Sequence, residues 1–210
     1  MAAKRAAPAT KKTAPRGGGA GKGKAGAGTG QPLVVLLRGI NVGGNKRVPM
    51  AELCALAKKL GCTHVESYIQ SGNLVVVAPM DPEAFETALE KAIAKHFGFT
   101  VDVIVRGAAA WRAYAAGSPF ADAEKDRPHL LHLGLTKKKP KPGALGVLAP
   151  YAKAGERLSF VADGLWIDFQ GGVARSKLSP AVLDRAVGSS VTARNFRTVQ
   201  KLWAMLGALA

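Results

Sequence analysis

Residues 33–46 read LVVLLRGINVGGNK, and residues 68–77 read YIQSGNLVVV. Leu33 to Leu37 is an unbroken apolar run of strand length, and Leu74 to Val77 is another. A strand with two apolar faces has no side to give to water, so each must be covered front and back. Each run adjoins a loop rich in glycine and asparagine. That composition suits tight turns with positive φ, or the holding of an anion by exposed amides, rather than the breaking of a bond.

The segments on either side complete a pattern. Pro49 opens a helical stripe of Met50, Leu53, Cys54, Leu56, Ala57 and Leu60, ended by Gly61. Residues 64–70 alternate, and Ser71-Gly72-Asn73 is turn chemistry, so 64–77 read as a hairpin. Asp81-Pro82 starts a second helix through Phe85, Leu89 and Ile93 to Gly98, and Thr100 to Val105 is a fourth strand. Strand, helix, strand, strand, helix, strand is the split βαβ order of a ferredoxin-like domain.

A looser copy follows. Ala108 to Ala116 is a linking helix, Leu130 to Leu135 a strand, and 143–153 a weak helix broken by Gly146 and Pro150. Asp163-Gly164 is a hairpin turn between Leu158–Ala162 and Leu165–Phe169. Ser179-Pro180 begins a helix that Gly188 ends. Val191 to Ala193 is a short last strand before a helix with Val199, Leu202, Trp203 and Leu206 on one face. The expected fold is α+β, with two ferredoxin-like (βαββαβ-type) subdomains, 32–106 and 107–210, packed together.

Residues 1–31 stand apart. They hold seven cations and no acid, and contain only Ala, Gly, Lys, Pro, Arg, Thr, Gln and the initial Met. A segment this poor in large apolar groups cannot offset its ordering entropy, so a disordered basic tail is expected. It lacks the apolar stretch of a secretory signal, and no later segment has the length and hydropathy of a membrane span. A cytoplasmic protein with no membrane partner is expected. The chain's net charge is +16, leaving +9 on residues 32–210. Such a field favours DNA, RNA or phosphorylated small molecules without choosing among them.

Two cysteines, Cys54 and Cys62, and scattered histidines give neither a zinc pattern nor a disulfide framework. No metal and no cofactor is expected. His129 and His132 would face opposite sides of a strand. Asp122 and Asp126 lie in an expected loop, where capping or solvated roles outweigh a metal. Ser71 has no paired base in view. Lys137 to Lys141 is a basic run that suits a solvated loop or a phosphate backbone. Trp166 falls on the polar face of its strand, where it covers a helix or stacks on a base.

The loop at 39–47 matches neither the Walker nor the dinucleotide template. It does precede a helix near Pro49, and helix N-terminal amides favour anions. Arg38, Asn41, Gly43, Gly44, Asn45 and Lys46 are therefore candidate ligand-binding residues, with Arg47 a further donor in the loop and Ser71 and Asn73 beside them. Thr192, Arg194, Asn195 and Arg197 lead into the last helix in the same manner, and Lys177 precedes another. For each, turn and cap chemistry is the competing account.

Several of these stretches resemble the bacterial domain-of-unknown-function family 1697: Leu36 to Asn45, Met50 to Leu53, Tyr68 to Val75, Ser118-Pro119-Phe120, Ser176-Lys177-Leu178 and Thr192 to Leu202. The resemblance spans roughly residues 32–206. It implies two subdomains related to the ferredoxin-like fold, and no established activity, cofactor or catalytic residue. Phe196 stands where many relatives would carry Trp, and the basic tail is not a general feature of the family. The favoured function is a non-catalytic or weakly catalytic binding protein that accepts a phosphate-bearing ligand or nucleic acid in a basic cleft between its halves. An enzyme acting on a phosphorylated or nucleotide small molecule, and a structural module with no small ligand, are the alternatives.

Overall fold

Both faces of the Leu33–Leu37 strand are buried, and the two apolar surfaces it serves organise the molecule. The computed structural model describes residues 30–209. The expected disordered tail, 1–31, lies outside the described residues except at its end, where Gln31 already opens the first strand.

The first half of the chain runs β1 (Gln31–Leu37), α1 (Met50–Lys59), β2 (His64–Tyr68), β3 (Asn73–Ala78), α2 (Pro82–Phe97) and β4 (Val103–Gly107). The second runs α3 (Ala108–Ala115), α4 (Ala121–Asp126), β5 (Leu131–Thr136), α5 (Ala144–Leu148), β6 (Arg157–Val161), β7 (Gly164–Asp168), α6 (Pro180–Val187), β8 (Val191–Asn195) and α7 (Phe196–Gly207), with 3-10 turns at Ala149–Tyr151 and Val173–Arg175. The fold is α+β with two four-stranded sheets, ordered β2-β3-β1-β4 and β6-β7-β5-β8. Every neighbouring pair is antiparallel.

The period-two alternation of a strand decides what covers each face. Leu33, Val35 and Leu37 of β1 pack with Leu53 and Leu56 of α1 and with Phe85, Leu89 and Ile93 of α2. Val34 and Leu36 point the other way, with Val75 and Ile104, into a middle cluster. There they meet Leu131, Leu133 and Leu135 of β5, Trp166 of β7, Trp111 of α3 and Val199, Leu202 and Leu206 of α7. Beyond the second sheet, Leu165 and Ile167 pack under Leu148 of α5 and Leu183 and Val187 of α6. The middle cluster welds the two sheets together.

Expected caps are made: the Asp81, Ser179 and Asn195 side chains accept from the backbone N–H of Ala84, Val182 and Thr198. Four expectations change. Residues 121–126 are a short helix, not a loop. The last strand extends to Asn195. The β6–β7 turn is Ala162-Asp163, with Ala162 at φ 54°, one residue earlier than the Asp-Gly signal indicated. Gly164 is instead required for space, since a Cβ there would lie 2.7 Å from Leu133 Cδ1 and 3.3 Å from Tyr114 Cε1. Trp166 is wholly buried, its ring centroid 5.9 Å from that of Phe196, so neither face of the indole is open to a base.

Two glycine substitutions separate these effects. Gly164→Ala is expected to lower stability by about 1–3 kcal/mol through overpacking, measured by urea unfolding. Gly146→Ala, inside α5 with nothing within 4 Å of the added methyl, is expected to raise it by roughly 0.5–1 kcal/mol.

Candidate functional site

Three of the singled-out segments, 38–47, 71–73 and 192–197, meet at one end of the sheets, and Arg194 is where they join. Its side chain leaves β8 and enters the buried gap between the sheets. Nε donates to the Asn73 side-chain oxygen. Nη1 donates to Thr192 Oγ1 at 2.9 Å and to the Ala193 carbonyl at 2.8 Å. Nη2 donates to the carbonyls of Leu37 and Ser71, each at 2.9 Å. A guanidinium has five N–H groups, and all five are taken, none by a carboxylate. Burial lowers its pKa to about 10, which still leaves it a cation at neutral pH. Asn73 is fully buried and locked in turn, its Nδ2 donating to the Tyr68 carbonyl and to Ser71 Oγ.

Arg38 makes a second crossing. Its Nε donates to the Val191 carbonyl at 3.0 Å and its Nη2 to Asp184 Oδ2 at 2.6 Å. Asp184 Oδ1 accepts the Val191 N–H.

The glycine loop is built from within. Asn41, at φ 55°, donates to the carbonyls of Val48 and Gln70 and accepts the Val48 N–H. Val42 and Asn45 bridge across Gly43 and Gly44, whose φ values of 59° and 79° explain both glycines. Lys46 donates to the Thr100 carbonyl at 2.8 Å. Two open hollows of about 460 and 430 Å³ lie beside this loop and share Asn41, Arg47 and Gln70. One is floored by Val48, Pro49, Met50 and Ala51, where α1 begins without a side-chain cap. The other adds Gly44 and Asn45.

The candidate residues thus divide. Arg38, Asn41, Asn73, Thr192 and Arg194 spend their polar groups on this protein's own backbone and side chains, and the Asn195 side-chain oxygen caps α7. Ser71 accepts from Asn73 and is otherwise exposed. Gly43, Gly44, Asn45 and Lys46 sit on the exposed loop. Arg197 and Lys177 are exposed, and neither hydrogen-bonds or pairs with the joined segments among the described residues. Two contributors were not singled out. Gln70 was legible, lying inside the same YIQSGN stretch. Asp184 was not, because its partner is 146 residues away in sequence.

Other charged groups are structural. Asp168 is fully buried between Arg127 and Arg157, and Asp122 bridges both arginines from outside. Hydrogen bonds from Arg157 and Arg127 hold Asp122 down at about 2. The pKa of Asp168 is also lowered: burial opposes the shift, and its hydrogen bonds to the same arginines outweigh it. Among the described residues no cluster of three or more His, Cys, Asp or Glu could hold a metal ion, and no helix is long and apolar enough to cross a membrane.

The model of a family described as "Protein of unknown function (DUF1697)" matches residues 31–166. Among solved structures, the conserved bacterial protein SP0830 from Streptococcus pneumoniae is similar, with a TM-score of 0.66 and 23% identity over 85% of this chain and 99% of that one. That likeness is one of fold. No curated protein matches.

Arg194→Met is expected to cost about 3–5 kcal/mol, because it removes the donors from five acceptors at the seam, three of them in buried bonds; denaturant unfolding reads the loss. Asp168→Asn is expected to lower stability at neutral pH and to flatten the acid limb. A carboxylate with a depressed folded pKa contributes fully above its unfolded value, near 3.8, and loses that contribution as pH falls through the folded value. The wild type should therefore lose stability as pH falls below about 4, more steeply than the variant, in a pH series of urea melts.

Proposed function

This chain belongs to the DUF1697 family of proteins of unknown function, and we propose that it binds a phosphate-bearing ligand, with nucleic acid the partner class, at the rim formed by the glycine loop and the start of α1. One observation carries this reading. The loop is pinned by the three hydrogen bonds of Asn41, while Arg47, Asn45, Gln70 and the uncapped first amides of α1 face the hollows. Fixed donors at a helix start are suited to phosphate oxygens. The positive field of residues 32–210 would concentrate such ligands.

In this reading Arg38 and Arg194 are not ligand contacts; they hold the rim in place. Arg197, Lys177 and the basic tail extend the attraction without shaping the site. The reading is of binding rather than catalysis, since Arg47 is the one titratable side chain lining either hollow. It takes the cytoplasm as the protein's compartment, and residues 32–106 and 107–210 as two ferredoxin-like halves. The matching strand orders of the two sheets support that division.

The test is fluorescence anisotropy with labelled single-stranded DNA, single-stranded RNA and a nucleotide triphosphate, titrated from low to high salt on the full chain and on a form lacking residues 1–31. For the truncated form, log affinity for the oligonucleotides is expected to fall linearly with log salt, and Arg47→Ala to reduce the slope by about one. Binding that vanishes with the tail, or that ignores both salt and Arg47→Ala, overturns the proposal.

A further inference from the structure

Another hollow lies elsewhere. It holds about 520 Å³ and sits between residues 139–145 and the β6–β7 hairpin. Its floor is apolar, with Ala144, Leu145, Phe160 and Ala162; Lys139 and Lys141 stand on its rim, and the Asp163 carboxylate that also lines it is paired with Arg106. Leu145, a large apolar residue, is left 37% exposed here. The backbone under the lysines is pinned: the Lys138 N–H donates to Ser189 Oγ, and the Lys141 N–H to the Val187 carbonyl. Among the described residues neither Lys139 nor Lys141 pairs with a carboxylate.

The strand that borders this hollow is an open edge. β6 pairs with β7 alone, as the outermost strand of its sheet. Across the two-residue turn at Ala162-Asp163, Val161 pairs with Gly164, and hydrogen-bonded pairs alternate from there with non-bonded ones. Arg157, Ser159 and Val161 thus bond inward, and the N–H and C=O groups of Leu158 and Phe160 point away from the sheet. They have no backbone partner among the described residues. Natural edges are usually shortened, charged or covered. This one is flanked by an apolar hollow and a cationic rim.

We propose that β6 is a docking edge for an extended acidic peptide segment of another protein, which adds a fifth strand to the second sheet. Main-chain bonds to Leu158 and Phe160 would fix the register. An apolar side chain would enter the hollow over Phe160, and carboxylates on the same segment would meet Lys139 and Lys141. Recognition by strand addition has this division of labour, with backbone bonds for affinity and pockets for specificity. Charge excludes two other occupants. The chain's own residues 1–31 carry seven cations and no acid, so the lysines would repel them. A second copy paired through β6 would bring its own lysine run to the same edge. The hollow shares no residue with those beside the glycine loop, so this inference stands apart from the anion site.

The experiment uses the full chain and two blocked octapeptides, one alternating glutamate with valine and one alternating lysine with valine, read by anisotropy and by amide hydrogen exchange. The acidic peptide is expected to bind saturably, to slow exchange at the Leu158 and Phe160 amides, and to lose at least tenfold in affinity with the Lys139→Glu/Lys141→Glu pair. The exchange readout needs no variant, so it stands even if a substitution disturbs folding. Equal binding of the basic peptide, unchanged exchange at both amides, displacement of the peptide by single-stranded DNA, or self-association through β6 in sedimentation would each overturn the proposal.

Discussion

A buried guanidinium with no carboxylate beside it holds this molecule together. Taking an ion out of water costs several kcal/mol, and Arg194 recovers that cost through five neutral acceptors aimed at its five N–H groups. Three of those acceptors, from Leu37, Ser71 and Asn73, belong to the first sheet and its β2–β3 connection. Thr192 and Ala193 belong to the second. The planar fork allows little latitude in angle or spacing, so the bond set fixes how the two sheets meet. A lysine could not replace it, having three donors about a point charge rather than five in a plane.

Around the apolar middle cluster runs a ring of further crossings. Arg38 reaches Asp184 and the Val191 carbonyl. Arg106 of β4 reaches Asp163 and the Thr136 carbonyl, with the Tyr114 hydroxyl donating to the same aspartate. Lys137 reaches Glu90 and the Val103 carbonyl. Each is a long cationic side chain laid across the seam. Together they make the seam a joint rather than a cleft. The cations of that seam are used in closing it.

The strands were legible because their apolar runs are long and their turns carry glycine and asparagine. LVVLL and LVVV could only be covered on both sides, and they are, by α1 and α2 on one face and the middle cluster on the other. The caps at Asp81, Ser179 and Asn195 were legible because capping is a contact three residues long. The Ala162-Asp163 turn was misplaced because two demands overlap at Gly164. A glycine beside an aspartate resembles a turn, but here it is the missing Cβ that matters, opposite Leu133 and Tyr114. Trp166 was misread for a similar reason: strand alternation separates two faces, and both faces of β7 turned out to be interior.

Local chemistry along the chain therefore settled most of the elements, their order and the apolar runs that must be buried. It also showed that cationic and amide-bearing segments from 38–47, 71–73 and 192–197 were unusual. Whether those groups face a ligand or each other depends on what stands within hydrogen-bonding distance once the chain is packed. Arg194 is 157 residues from Leu37 and 121 from Asn73, and no periodicity reaches that far. Folding set those acceptors around a desolvated cation, and so turned a presumed binding arginine into the pin between two sheets.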